Sequence, residues 1–546
     1  MARWWRGSVG YEVYVRSFAD TDGDGIGDLP GVRQRLGHLA ELGVDVVWLT
    51  PFMPSPQADH GYDVADYLDV DPVYGSLADL DALLADAHQL GMKVICDLVP
   101  NHTSNQHRWF LDARRSRQAH HRTWYVWRDP ASDGGPPNNW VSHFGGPAWT
   151  YDEHTGQYYM HLFLPEQPDL NWAEPEVRAA FAQILETWFC RGVDGVRIDV
   201  AHSLVEDSGF RDNPVLDPPP TDDRHGPIST FEHFQHAHDL DQDGVLEIYR
   251  DWHHIAARHD AVLLGEVYLL DPARLARYLE GDALHQSFCF AALRATWDAS
   301  DIRATLRPYV EASGDALAWP LSSHDDPHAA TRFGGGQPGA RRQLAYLTLL
   351  CGLPGSPFLY QGDELGLDDA ELPDTVAEDP IARRNPGTHG RDPQRTPMPW
   401  QPGPGVGFTT GTPWLPVGAN RTDERTVAAQ TGLPGSHLER TRRLLLTRRR
   451  LPALTDGSPI RWLPSPDHVV AIERGGQIVV ALNVGDQPAR LPVGHPVAIA
   501  YATDDDVTVE GQTLVLPGDA AAIVQHLPAP DSHPSSRRHT REEPAP

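Results

Sequence analysis

Eight short apolar runs recur along this chain, and most are followed by a segment with apolar residues at helical spacing. The helical segments include 77–90, 177–190, 245–258 and 340–351. Strands that alternate with helices predict parallel strands joined by crossover helices. Eight such units predict an α/β fold of the (β/α)8 or TIM-barrel type; a doubly wound open sheet is the alternative, which the even repetition disfavours. The predicted strands are 9–18, 44–50, 93–99, 195–200, 261–268, 286–291, 317–322 and 356–360.

Two parts of the chain break this alternation. Residues 102–172 are rich in Trp, Tyr, His, Gly and Pro, and predict a loop-rich domain inserted after the third strand. The barrel would then comprise 1–101 and 173–450. Short alternating strands after residue 450 predict a C-terminal antiparallel β-sandwich over 451–528, and the polar segment 529–546 predicts a disordered tail. The predicted sandwich strands are 460–463, 468–474, 477–483, 497–503, 508–515 and 521–526.

Charge and cysteine content exclude several functions. A formal net charge of −30 disfavours nucleic acid and anionic membranes as partners, because phosphate groups are bound by basic surfaces. We expect a cytoplasmic protein, since no long apolar run occurs and the first strand begins too early for a signal peptide. The four cysteines stand singly in apolar runs without any CxxC spacing, so we expect buried thiols that take no part in metal or redox chemistry.

Three carboxylates follow separate predicted strands: Asp199 the fourth, Glu266 the fifth and Asp325 the seventh. A barrel gathers the carboxyl ends of its strands at one mouth, and grouped carboxylates suit cleavage of glycosidic bonds. Arg197 lies on the same strand face as Asp199 and would keep it ionised, as a nucleophile requires, although a structural ion pair is an equal alternative. The apolar neighbours of Glu266 would raise its pKa, as a general acid requires.

Histidines also follow predicted strands. His324 directly precedes Asp325, and His102 closes the segment Asp97-Leu-Val-Pro-Asn-His102. A histidine next to a carboxylate can both donate and accept hydrogen bonds to sugar hydroxyls. One histidine alone is more often a core residue, so the indication of a site comes from polar groups at the ends of strands three, four, five and seven.

The blocks at 97–102, 195–200, 265–267 and 324–325 resemble, in order, the four conserved blocks of the α-amylase superfamily of retaining α-glycoside hydrolases and transferases. A fifth block, Gln167-Pro-Asp-Leu-Asn171, resembles that of oligo-1,6-glucosidases and α-glucosidases. Segments 61–63 and 390–400 match as well, and the resemblance covers roughly residues 6 to 530. The block before Asp325 has Ser323 where the family usually has Asn.

The resemblance implies that Asp199 is the nucleophile, Glu266 the acid/base and Asp325 the stabiliser of the transition state. It also implies a pocket for one terminal glucosyl unit, in which valine after the nucleophile goes with a preference for α-1,6 linkages. The residues implied are His102, Arg197 and His324 as ligands of the glucosyl unit, Tyr62 stacked on it, Phe163 as a wall, Asp63 with Arg391 on the terminal 4-hydroxyl, Arg395 in support, and Val200 after the nucleophile.

A metal-binding loop follows the first predicted strand. Alternating carboxylates around a glycine-rich turn supply hard oxygen ligands, and the loop resembles an EF-hand loop, except that Gly31 stands where the closing glutamate would be. Members of the family carry calcium or magnesium here, so the resemblance predicts a structural Ca²⁺, with Mg²⁺ as the alternative, and no organic cofactor. The predicted ligands are Asp20, Asp22, Asp24, the Ile26 carbonyl and Asp28.

Three functions are compatible with these residues. The first is an exo-acting α-glucosidase, monomeric or homodimeric, that releases glucose from a small α-glucoside. The second is a transglucosylase or isomerase on the same scaffold, such as a trehalose synthase, in which a sugar replaces water as acceptor. The third, a scaffold without activity like the transporter-associated heavy chains, is disfavoured because all three carboxylates are present and no membrane segment is predicted.

Overall fold

The computed structural model describes residues 3–217, 230–384 and 389–527. In chain order its strands are β1 (Gly10–Val13), β2 (Val46–Leu49), β3 (Lys93–Leu98), β4 (Trp127–Arg128), β5 (Trp149–Asp152), β6 (Gln157–Met160), β7 (Gly195–Ile198), β8 (Val262–Gly265), β9 (Gln286–Phe288), β10 (Leu317–Pro320), β11 (Ser356–Tyr360), β12 (Ile460–Trp462), β13 (Val469–Arg474), β14 (Ile478–Asn483), β15 (Ala489–Pro492), β16 (Val497–Ala502), β17 (Thr508–Glu510), β18 (Thr513–Leu516) and β19 (Ala520–His526).

The α-helices lie between and after these strands. They are α1 (Val15–Phe18), α2 (Leu29–Leu42), α3 (Leu77–Gln89), α4 (Arg108–Ala113), α5 (Pro175–Arg191), α6 (Val245–Arg258), α7 (Pro272–Arg277), α8 (Ala291–Arg294), α9 (Ala299–Ser313), α10 (Ala329–Arg332), α11 (Gly336–Gly352), α12 (Pro380–Arg384), α13 (Val427–Gln430) and α14 (His437–Arg450). None of the helices in the described ranges combines the length and apolar composition needed to cross a membrane.

Strands β1, β2, β3, β7, β8, β9, β10 and β11 close into a parallel barrel, which confirms the predicted (β/α)8 fold. The register pairs Ile198 of β7 with Leu98 of β3 on one side and Gly265 of β8 on the other. The carboxyl ends of these three strands are therefore level with one another. The first predicted strand was too long, because the extended chain ends at Val13 and turns directly into α1.

Local signals in the sequence explain where the helices of the barrel begin and end. Asp28 caps α2 by accepting a hydrogen bond from the Gly31 amide, and α2 ends at Gly43, whose φ of 101° few other residues adopt. Ser76 and Asp79 form a reciprocal capping box at the start of α3. These caps satisfy amide groups that a helix leaves unpaired at its first turn.

The segment predicted as an insertion contains a small antiparallel sheet in the order β4-β6-β5. Its apolar side packs around the buried Trp140 and Trp149, together with Leu240 from the loop after β7. Isolated bridges join His102 to Asp169 and Tyr125 to Leu170, so both ends of the segment lie beside the carboxyl end of β3. The loop-rich segment is thereby placed above the mouth of the barrel.

The C-terminal region consists of a five-stranded antiparallel sheet, β12-β13-β14-β19-β16, and a three-stranded sheet, β15-β18-β17, with an apolar cluster formed by residues of both. The predicted sandwich strands are present with two differences. β15 was not predicted, and the strand predicted at 508–515 is a hairpin, because the chain turns at Gly511 (φ 65°) between β17 and β18. The predicted disordered tail lies outside the described residues.

The cysteines follow the expectation with one exception. Cys96, Cys289 and Cys351 are buried free thiols, as predicted. Cys190 is exposed, and the prediction for it was wrong. It occupies the next-to-last position of α5, on a turn of the helix that faces away from the barrel core.

Candidate active site

A small cavity lies at the carboxyl ends of the barrel strands, and Arg197, Glu266 and Asp325 are among the residues that line it. Asp199 follows β7 directly, Glu266 follows β8 directly, and Asp325 lies in the loop after β10. A Cβ at Gly265 would lie 2.3 Å from Leu284 Cδ1, so any larger residue immediately before Glu266 would force the Leu284 side chain to move. The fold therefore brings the three predicted carboxylates to one mouth.

Arg197 is the centre of the charge network. Its Nη1 lies 2.6 Å from Asp199 Oδ1 and 2.8 Å from Asp97 Oδ1, and its Nη2 lies 3.0 Å from Glu266 Oε2. The guanidinium is 1% exposed, so these contacts are little screened by water. One buried cation thus holds Asp199 and Glu266 on the same side of the cavity.

Burial raises the pKa of Asp199 to about 7 and the pKa of Glu266 to about 8, while Arg197 opposes both shifts. Asp199 is therefore the first of the two to ionise as the pH rises. Glu266 Oε2 also accepts a hydrogen bond of 2.8 Å from the Val200 amide. Val200 has a φ of 38°, a strained value for a β-branched residue, and this turn is what aims its amide at Glu266.

Asp325 is surrounded by cations. Its Oδ1 accepts hydrogen bonds from Arg395 at 2.7 Å and from Arg391 at 2.9 Å, and its Oδ2 lies 3.3 Å from His324 Nε2. Burial alone would raise the pKa of Asp325, but His324, Arg391 and Arg395 outweigh it and hold the pKa well below its usual range. Burial holds the pKa of His324 well below its usual range. Asp325 remains an anion at any working pH.

His324 is held from both sides. Its Nδ1 contacts the carboxylate of Glu12, and its Nε2 lies 2.8 Å from the Tyr62 hydroxyl. The Tyr62 ring stacks on His324 with centroids 5.4 Å apart, and its hydroxyl donates to Asp97 at 3.0 Å. Glu12 lies within β1 and was not predicted; a lone glutamate in an apolar strand was the available signal. Its position beneath His324 fixes the ring orientation.

His102 and Phe163 pack against each other next to Tyr62. His102 Nε2 lies 3.1 Å from the Tyr62 carbonyl and 3.0 Å from Gln167 Nε2, which belongs to the fifth block. Burial lowers the pKa of His102 to about 3, so the ring is neutral. Phe163 lies 5.1 Å from His102 between ring centroids and stacks on His143 at 4.7 Å. His143 is a neighbour that was not predicted.

Asp63 was predicted to bind the terminal 4-hydroxyl together with Arg391, but its side chain does not face the pocket. Asp63 is fully buried, and its carboxylate accepts hydrogen bonds from Ser55 Oγ at 2.8 Å and from the amides of Ala58 and Asp59 at 2.9 and 3.0 Å. These hydrogen bonds of Asp63 fix the conformation of the loop 55–63. Arg391 instead contacts Asp59 at 2.9 Å.

The second partner of Arg391 is Asp379, at 2.8 Å, which was also not predicted.

Residues 59–63 contain two aspartates, Asp59 and Asp63, and the turn between them decides which one faces the pocket. His60 at φ 49° and Gly61 at φ 110° make that turn. Burial raises the pKa of Asp59 to about 6, although the positive charge of Arg391 acts to lower it.

The predicted metal loop brings together three of its ligands. Carboxylate oxygens of Asp20, Asp22 and Asp24 lie within 4.8 Å of one another, and Asp22 and Asp24 are exposed. This all-oxygen set fits a hard cation. Asp28 is engaged otherwise, because Oδ1 accepts from the Gly31 amide and Oδ2 from the amide and hydroxyl of Thr21. The Ile26 amide donates to Asp24 at 2.7 Å within the same turn.

Comparisons with known proteins agree with this geometry. Residues 12–457 match the model of the α-amylase catalytic domain. A probable α-glucosidase of Rhizobium meliloti (strain 1021) is 41% identical over 502 residues, covering 89% of this chain and 90% of the relative. An oligo-1,6-glucosidase of Heyndrickxia coagulans is 34% identical over 527 residues, covering 89% and 93%. The crystal structure of an α-glucosyl transfer enzyme, XgtA, superposes with a TM-score of 0.90 at 38% identity, covering 96% and 100%.

Proposed function

This chain belongs to the α-amylase family and is a glycoside hydrolase, and we propose that it is a retaining α-glucosidase that removes single glucosyl units from the non-reducing ends of short α-glucosides. The observation that carries the proposal is the shared contact of Asp199 and Glu266 with the guanidinium of Arg197. A nucleophile and an acid placed side by side on one cation suit double displacement, for which carboxyl groups about 5–5.5 Å apart are needed.

In the first step an oxygen of ionised Asp199 attacks the anomeric carbon while the glycosidic C–O bond breaks. Protonated Glu266 gives its proton to the departing oxygen, and a glucosyl ester of Asp199 forms. In the second step Glu266, now a carboxylate, takes a proton from water as the water oxygen attacks the same carbon. The ester bond breaks, Asp199 leaves as a carboxylate, and α-glucose is released.

Asp325 and His324 act on the sugar ring rather than on the bond. The anion of Asp325 faces the ring on which positive charge develops, and its hydrogen bonds to neighbouring hydroxyls strengthen as the ring distorts. Because Arg391 and Arg395 hold Asp325 in place before the substrate arrives, little reorganisation is needed in the transition state.

Exo-action follows from the closed end of the pocket. Arg391 joins Asp59, Asp379 and Asp325, and this buried group lies where a longer chain would have to continue beyond the terminal 4-hydroxyl. Asp59 and Arg391 offer an acceptor and a donor to that hydroxyl.

The configuration of azide products tests the assignment of the two carboxyls. Azide with Asp199→Ala should attack the substrate from the side of the missing nucleophile and give β-glucosyl azide. With Glu266→Ala and an activated substrate, azide should attack the glucosyl ester and give α-glucosyl azide. Unchanged circular dichroism would show that both variants are folded. The opposite products, or wild-type turnover in either variant, would contradict the mechanism.

Transfer to a sugar acceptor is the second candidate, favoured by the similarity to the α-glucosyl transfer enzyme. The same glucosyl ester serves both reactions, and only the acceptor differs. Product analysis on maltose, isomaltose, trehalose and sucrose separates them, since hydrolysis yields free glucose in proportion to substrate consumed. A new disaccharide as the main product at low substrate concentration would assign the chain to the transferases.

We further propose that Asp20, Asp22 and Asp24, with the Ile26 carbonyl, hold a structural Ca²⁺, or Mg²⁺ in its place. The converging carboxylates support this, whereas the role of Asp28 as helix cap makes it a weaker candidate ligand. Such an ion would offset two of the three negative charges and stabilise the connection between β1 and α2.

A further inference from the structure

A second cluster of metal-ligand side chains lies on the outside of the barrel, away from the active site. Glu186 and Cys190 belong to α5, and His259 follows α6 directly. One carboxylate oxygen, the thiol sulfur and one imidazole nitrogen all lie within 4.8 Å of one another. We propose that these three residues bind a soft divalent cation, for which Zn²⁺ is the best match.

The cluster results from helix packing. Glu186 and Cys190 are four residues apart and therefore share a face of α5. α5 packs against α6, which brings His259 to the same face. Glu186 Oε1 lies 3.1 Å from His259 Nε2, and Glu186 Oε2 accepts a hydrogen bond of 2.8 Å from Arg258. Arg258 thus orients the carboxylate from outside the cluster. Residues that hydrogen-bond to a metal ligand commonly orient it in this way.

The donor set selects the type of ion. Thiolate, imidazole and carboxylate together suit Zn²⁺, whereas Ca²⁺ and Mg²⁺ prefer oxygen ligands alone. Tetrahedral Zn²⁺ sites hold their ligand atoms about 3.3–3.6 Å apart. Side-chain rotations that move each ligand atom by about 1 Å would bring the three atoms to this spacing. Water would fill the remaining position.

Solvent reaches the cluster freely. Cys190 is exposed and borders an open surface groove of about 580 Å³ between α3 and α5, which Asp81, His88 and Arg191 also line. The half-buried Glu186 and His259 form the inner side of the site. An ion can therefore enter without any opening of the fold.

Because of where the proposed Zn²⁺ site lies, we expect the bound ion to affect the stability of the fold and not the turnover number. α5 leads into β7 and α6 leads into β8, so the ion would join the two helices that precede the strands carrying Asp199 and Glu266. Both helices end at the face of the barrel opposite the active site, and this face generally contributes to stability. An ion bound only to the folded chain raises its melting temperature as the ion concentration increases.

Thiol labelling tests the site directly. All four cysteines lie in the described residues and only Cys190 is exposed, so Ellman's reagent should label one thiol per folded chain. With Ca²⁺ saturating, Zn²⁺ at ten times its dissociation constant should slow this labelling about tenfold, because only the chains without bound Zn²⁺ carry a reactive Cys190 thiol. His259→Gln should abolish the protection at the same Zn²⁺ concentration, whereas His254→Gln, an exposed histidine of α6, should retain it. Equal protection in wild type and His259→Gln, or none in wild type, would overturn the proposal.

A second measurement uses no reaction of the thiol. Co²⁺ in place of Zn²⁺ should show a thiolate-to-metal absorption band and the visible bands of tetrahedral cobalt, and Cys190→Ser should lose the first. Zn²⁺ should raise the melting temperature of wild type but not of Cys190→Ser, whose melting temperature without Zn²⁺ reports its folding. A Zn²⁺-dependent increase of equal size in both proteins would also overturn the proposal.

Discussion

Replacing Asp199 by Ala should lower the pKa of Glu266, because the two carboxyls repel each other when both are charged. Under the proposed mechanism, the active form of the wild type has Asp199 ionised and Glu266 protonated. The value of kcat/KM should therefore rise as Asp199 loses its proton near pH 7 and fall as Glu266 loses its proton near pH 8. Outside this narrow window kcat/KM changes about tenfold per pH unit.

The structure sets the size of the shift. Asp199 Oδ1 and Glu266 Oε2 contact the two terminal nitrogens of one guanidinium at 2.6 and 3.0 Å. Since that group is planar and compact, the two oxygens lie within about 8 Å of each other. Two unit charges at about 8 Å in an effective dielectric of about 20 repel by about 2 kcal/mol, or about 1.5 pKa units. The substitution also leaves Arg197 with one anion fewer, which acts in the same direction.

Azide makes the variant measurable. Azide replaces the lost nucleophile in Asp199→Ala, while Glu266 must still protonate the departing sugar of maltose. The alkaline limb of kcat/KM for β-glucosyl azide formation should lie at least about 1.5 pH units below that of wild-type hydrolysis. Wild type assayed with the same azide concentration is the control for effects of azide itself. An alkaline limb at the wild-type position would refute the coupling of the two carboxyls through this geometry.

Four further predictions concern the pocket, its supporting loop, the metal loop and the fold. Asp59→Asn should weaken transition-state binding of maltose by about 1.5–3 kcal/mol, so that kcat/KM falls roughly ten- to 150-fold, yet it should scarcely affect a 4-deoxyglucosyl substrate; equal losses on both substrates would contradict the role of Asp59. Asp63→Ala should instead lower the free energy of unfolding by about 1–3 kcal/mol, because it leaves three hydrogen-bond donors of the loop without their acceptor. Chelation of Ca²⁺ should lower the melting temperature of wild type but not of Asp22→Asn, and a chelator effect of equal size in both would remove the metal from this loop. Buried Arg448 donates to the carbonyl oxygens of Cys351, Gly7, Gly355 and Leu454. Arg448→Met leaves these oxygens without a donor and should lower the free energy of unfolding in urea by about 1–3 kcal/mol, with the KM for maltose unchanged.

The barrel and its three carboxylates could be predicted because both depend on short-range pattern. Apolar runs of four to six residues followed by helical spacing require parallel strands, and a residue directly after such a strand must lie at the mouth. Asp199 and Glu266 each follow a strand end by one residue, so no long-range information was needed to place them. Arg197 was predicted beside Asp199 for the same reason, since residues two apart share a strand face.

Contacts between distant segments could not be predicted in this way. Glu12 reaches His324 across 312 positions and Asp59 reaches Arg391 across 332. Which of Asp59 and Asp63 faces the pocket depends on the turn that the chain makes at His60 and Gly61. A motif records that both aspartates are present but not the direction of either side chain.

The cysteines show the same division. Sequence alone determined that no CxxC motif exists, and from this followed the expectation of buried, inert thiols. Only the packing of α5 on α6 brings Cys190 and Glu186 to His259, which lies 69 positions beyond the cysteine. Periodicity along one chain determines which face of a helix or strand a residue occupies. The residue it meets there depends on how the elements pack, and that is decided by the whole hydrophobic core at once.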